Sequence, residues 1–138
     1  MKKSTKKIVS IIILIIITLI LGAVSLFFIV VKFSAVETRF KCSGEISYKG
    51  KTYSTDVYIK VNEWRWWVGL WSDSDGDVAL EIPNTIHERY NHVEEVGEVL
   101  HIYRGYPNLR GQFSKLSKTL AIDIPFFGFF DGTCKKAD

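Results

Sequence analysis

The sequence predicts a mainly β protein. A single N-terminal transmembrane helix is followed by a small antiparallel β-barrel or β-sandwich of seven to eight strands, closed by a disulfide between its terminal strands. Three observations carry that prediction. Residues 8–31, IVSIIILIIITLILGAVSLFFIVV, contain no charge. From Phe40 onward, apolar residues recur with period two between short polar turns. The stretch FKCSG (Phe40–Gly44) returns almost reversed as FDGTC (Phe130–Cys134), and each copy holds one of the two cysteines.

The uncharged run of 24 residues forms a helix of about 36 Å at 1.5 Å per residue, enough to cross roughly 30 Å of hydrocarbon with some tilt. Lys2, Lys3, Lys6 and Lys7 precede it, whereas Lys32, Arg39 and Lys41 follow more sparsely. The bias places residues 1–7 in the cytoplasm and the rest of the chain outside it. A cleaved signal peptide is the rival reading, with Ala23-Val24-Ser25 as its cleavage site. Cleavage there would leave LFFIVV as an apolar new N-terminus, so a retained anchor is expected. No small-residue lipobox precedes Cys42. The Lys-rich start, the Ile-rich span and the lack of N-glycosylation sites point to a bacterial inner-membrane protein with a periplasmic domain.

Residues 32–39 read as a linker and residues 40–138 as one folded domain, small but able to bury a core. The net charge of +3 is misleading. Five of the 18 basic residues (the four tail lysines and Lys32) precede residue 33, leaving 13 against 15 acids, a net of −2. That balance excludes a phosphate-neutralising nucleic-acid binder. Cysteines placed only at the two ends of the domain suit an oxidising compartment.

The strands follow in order. Phe40, Cys42, Gly44, Ile46 and Tyr48 share one face, and Lys49-Gly50 is a turn. Tyr53, Thr55, Val57, Ile59 and Val61 form the next apolar row. Residues 64–71 read as a third strand, turning at DSDGD into Val78, Leu80 and Ile82. Residues 84–97 fit either a capped helix or a polar edge strand, and the neighbouring strands favour the latter. Val99–Arg104, Leu109–Phe113, Thr119–Ile124 and Phe126–Cys134 complete the series, with Gly128 expected as a bulge. In an antiparallel pair, facing residue numbers have a constant sum. The mirrored motif therefore places Cys42 opposite Cys134, Gly44 opposite Gly132 and Ile46 opposite Phe130, so that the first and last strands close the sheet.

All four tryptophans, Trp64, Trp66, Trp67 and Trp71, fall within NEWRWWVGLW. On a strand, Trp64 and Trp66 would point one way and Trp67 and Trp71 the other, beside Arg65. One small core cannot take both pairs. Trp67, Trp71 and Arg65 are therefore the expected binding residues, since Trp and Arg dominate contact hot spots. The ordinary alternative is a thick core with one ring covered by a loop. PFFGFF (Pro125–Phe130) reads as core first and as a second partner surface otherwise.

Other motifs carry no chemistry. DSDGD has its glycine between the second and third acids and no glutamate at the twelfth position, so a hairpin with Asp75-Gly76 at its tip is expected rather than a calcium loop. His87 and His92 are five apart, about 140° around a helix, which does not make a zinc pair. No G-x-S-x-G and no Gly-rich phosphate loop occurs. No metal, no cofactor and no catalysis are expected.

The layout of basic tail, single span and end-stapled β-domain resembles two groups. One is the periplasmic inhibitors of c-type lysozyme, small antiparallel barrels with a disulfide joining their terminal strands. The other is the ToxS-like and FidL-like accessory partners of membrane-bound transcription regulators. The likeness lies in architecture and carries no residue across. The leading expectation is a membrane-anchored periplasmic module that engages a protein partner. An inhibitor or immunity protein against a cell-wall hydrolase or toxin is the alternative, and an enzyme acting on envelope glycans a weaker one.

Overall fold

The chain, described by a computed structural model over residues 2–138 with side chains from residue 4, comprises two compact units that meet between Ser34 and Ala35. The first is a helix, α1 (Lys2–Lys32). From Ser4 to Lys32 it is long and apolar enough to cross a membrane, with a mean hydropathy of 3.1 over an 18-residue window.

The second unit is a closed eight-stranded antiparallel barrel in which every strand pairs with its sequence neighbours. Its strands are β1 (Ala35–Tyr48), β2 (Lys51–Trp64), β3 (Gly76–Ile82), β4 (Ile86–Val96), β5 (Val99–Tyr103), β6 (Leu109–Ser114), β7 (Thr119–Ile124) and β8 (Gly128–Ala137). A single helical turn, α2 (Trp66–Gly69), sits between β2 and β3. Residues 84–97 are thus mostly strand. β1 begins at Ala35, inside the segment expected as a linker, and only Phe33 and Ser34 remain between helix and strand. Gly128 is not a bulge but the first residue of β8, with φ 112°.

Closure occurs where the mirrored motif places it. β1 and β8 pair with Cys42 opposite Cys134, Gly44 opposite Gly132 and Ile46 opposite Phe130. The two cysteines are disulfide-bonded across 92 residues of sequence. The glycines have a steric reason. A Cβ on Gly44 would lie 2.1 Å from the Asp131 carbonyl oxygen, and one on Gly132 would lie 2.7 Å from that of Ser43. Both distances are far inside contact, so the seam admits no side chain there. Gly44→Ala should therefore lower stability by about 1–3 kcal/mol, the usual cost of overpacking. A urea titration followed by circular dichroism reads it, and an unchanged midpoint would contradict the tight seam.

Alternation fills the interior. Val57, Ile59 and Val61 of β2, Val78, Leu80 and Ile82 of β3, and Leu120, Ile122 and Ile124 of β7 are all buried. Tyr90, Phe113 and Phe130 supply the largest enclosed rings. Eight strands enclose a space that side chains just fill, and here they make it a core. Tyr90 keeps a polar handle, its hydroxyl donating to the Asp123 carbonyl at 3.1 Å. Its burial raises the phenol pKa well above the usual range. The outer wall is polar and carries cross-strand ion pairs such as Lys41–Asp56 and Lys60–Glu37.

Candidate interaction surfaces

An even number of alternating strands sorts the connections by end. The start of β1, the finish of β8 and the β2–β3, β4–β5 and β6–β7 connections share one end, called here the entry end. The four remaining hairpins share the far end.

The tryptophans lie at the entry end, but not on a strand. The expected third strand over 64–71 is replaced by the end of β2 at Trp64, the turn α2 and a loop to Gly76. A continued strand would have placed indoles on both faces, and the chain leaves the sheet instead. Trp64 N–H donates to the Asp75 carbonyl at 2.8 Å, which closes the loop at its base. Inside it, Val68 N–H donates to Arg65 C=O at 2.8 Å and Trp71 N–H to Val68 C=O at 2.9 Å.

DSDGD is the strap that holds this loop, and the hairpin-tip reading of Asp75-Gly76 is corrected accordingly. The buried Ser74 hydroxyl donates to the Gly76 carbonyl at 2.7 Å and accepts from Val93 N–H at 2.9 Å. Asp75 N–H donates to the Val93 carbonyl at 2.7 Å, and the Asp75 carboxylate accepts from Glu95 N–H at 2.7 Å. Gly76 is glycine because β2 passes too close, and a Cβ would lie 2.0 Å from the Asn62 carbonyl oxygen. Asp77, buried, accepts from Asn62 Nδ2 at 2.7 Å and from the Arg89 guanidinium.

The consequence for the indoles differs from the strand expectation. Trp71 is 89% exposed and Arg65 is exposed, but Trp67 is half-buried. Its place is taken by Trp66, 80% exposed, with Leu70 at 71%. The Trp66–Trp67 doublet breaks strict alternation and was the available sign that a strand does not continue. The other two entry-end turns also carry exposed apolar tips, Val96 and Leu116. Lys115 bridges Glu63 and Glu95 beside them. Burial alone would lower its pKa, but the two carboxylates hold it above the usual value.

The far end presents a second aromatic surface, drawn largely from PFFGFF. Phe127 N–H donates to the Ile124 carbonyl at 3.0 Å, closing a turn with Pro125 at its first central position. Phe126 occupies the second, with φ 68°. That is the position of a type II turn at which glycine is the usual occupant. A bulky residue in this region is strained, typically by about 1–3 kcal/mol. The ring gains little packing in return, being 89% exposed. It lines a cleft of about 340 Å³ together with Ile46, Tyr48, Tyr53, Ile82 and Phe127 and the polar Ser54, Thr55 and Thr85. Phe130 is core, as alternation requires, while Phe126 and Phe129 are exposed.

A second hollow, of about 530 Å³, is lined by Tyr58, Lys60, Ala79, Glu81 and His87 among others. His92 is buried against Tyr103 and Tyr106, with ring centroids 5.3 and 5.2 Å away. Among the described residues, no group of three His, Cys, Asp or Glu side chains is placed to hold a metal ion. No family model matches the chain, and no curated protein or solved structure matches it either.

Proposed function

We propose that this chain is a non-catalytic, membrane-anchored binding module. In this reading α1 holds the barrel at the periplasmic face of a bacterial inner membrane, and the far end engages a protein partner. The observation that carries it is Phe126, a large ring kept in a conformation that favours glycine and left in solvent at a cleft of mixed aromatic, aliphatic and hydroxyl lining. Strain of this kind persists where it serves a role, and an aromatic anchor is what a protein interface uses most. Tethering would raise the effective concentration of the module for any partner in the same membrane. The same protruding ring supports a second reading, an inhibitor or immunity protein that plugs the cleft of a cell-wall hydrolase or toxin.

Two measurements test this. Benzoylphenylalanine at position 126 keeps a ring there and should crosslink to a partner in growing cells. An inner-membrane protein in the adduct supports the accessory role, a hydrolase or toxin supports the second reading, and no adduct overturns both. Phe126→Gly should relieve the backbone and raise stability by about 0.5–1 kcal/mol while abolishing the interaction. A lower melting temperature would instead mean that the ring stabilises its turn, and would overturn the strain argument.

A further inference from the structure

The tryptophan loop and the anchor are brought together by covalent connectivity. Three Cα–Cα steps separate Lys32 from Ala35, a reach of at most about 11 Å whatever angle the two units adopt. Ala35 pairs directly with Trp64, the residue from which the loop departs. Paired strands add about 5 Å. The far end lies the length of β1 away, whose 14 residues at about 3.3 Å each and a tilt near 40° give roughly 35 Å. Of the two aromatic surfaces, only the entry end is held next to the point where α1 ends.

We infer that the entry end seats on the lipid, with Trp66, Leu70 and Trp71 in the interfacial zone of the bilayer that α1 crosses. The inference rests on the anchor reading above. Indoles favour that zone because a large apolar body meets hydrocarbon while the ring N–H meets water and headgroups. The loop is built to present them, since the strap through Ser74 and Asp75 fixes its base to β4 and leaves α2 and Leu70–Trp71 outward. Val96 and Leu116 extend the apolar contact to the other two turns of this end. Charge does not drive the seating. Arg65, Lys118, Lys135 and Lys136 are interspersed with Asp73, Glu98 and Asp138 at the same end. The contact is therefore apolar, and it orients the far end away from the membrane, toward soluble or neighbouring proteins.

The four tryptophans all lie in residues 64–71, so indole fluorescence of the full chain reports this segment alone. The chain is reconstituted in phosphatidylethanolamine–phosphatidylglycerol vesicles containing lipids brominated near the headgroup. Emission should be quenched, and the quenching should persist at about 0.5 M salt, which screens charge contacts. The double variant Trp66→Phe, Trp71→Phe should lose at least about half of that quenching, because the indoles it retains are half-buried and interfacial contact falls to the exposed pair. Extraction of the protein by alkaline carbonate would overturn the anchor reading and the seating together. Carbonate-resistant protein whose indoles respond to aqueous acrylamide but not to bromolipid would overturn the seating alone. Indoles shielded from both quenchers would do the same and assign the loop to a protein contact.

Discussion

A chain carrying both Cys42→Ser and Cys134→Ser should unfold with a free energy lower by up to about 4–5 kcal/mol than the oxidised chain. The bond closes a loop spanning 92 residues of separation, nearly the whole barrel, so it removes a large share of the unfolded chain's freedom. That figure is an upper value in the chain-entropy account, because residual structure in the unfolded state reduces it. The seam it joins, β1 with β8, is also the pairing with the longest sequence separation in the fold, and so the most costly to close without a crosslink. Urea titration of the detergent-solubilised chain, with and without reductant, reads the effect. Reductant should shift the wild-type midpoint and leave the double variant unmoved. A wild-type midpoint that ignores reductant would sink the account.

Phe130→Ala should cost about 3–5 kcal/mol, the range for truncating a fully enclosed ring. Phe130 has no exposed surface and sits where the last strand meets both neighbours, opposite Ile46 on β1 and Ile122 on β7. The adjacent Phe129 is the control. It is exposed, and Phe129→Ala should stay within about 0.5 kcal/mol. Two neighbouring rings with opposite consequences are what strand parity demands, since a slip of one residue exchanges the faces. Comparable losses from the two variants would refute the register of β8.

Parity and register were legible because they depend on local order. The mirrored Phe-Lys-Cys-Ser-Gly motif specifies which strand β1 meets and in what phase, and the alternating rows at 57–61, 78–82 and 120–124 specify which faces are buried. The meeting of first and last strands was legible from that motif, but barrel or sandwich was not, because that choice depends on the order and tilt of the strands between them rather than on alternation within any one of them. The tryptophan segment was misread for a related reason. Indoles favour strands, but the chain's departure at Trp64 is settled by Ser74, Asp75 and Gly76 meeting Val93 and Asn62, partners far away in sequence. Exposure of Trp66 in place of Trp67 follows from that departure. The left-handed backbone at Phe126 was not legible, because Ile-Pro-Phe-Phe has the proline of such a turn but lacks the glycine that normally follows it.

Because β1 and β8 pair with each other, neither terminal strand is left as an open edge along which copies could polymerise, and one-sided pairing is confined to overhangs such as residues 51–57 of β2, which meet β1 but not β3. Away from those overhangs, the proposed partner would have to recognise side chains. Substitutions on the fully paired polar wall, at positions such as Glu45 and Asp131, are then free to drift, while the rims at the two ends would hold the information by which the proposed partner is recognised.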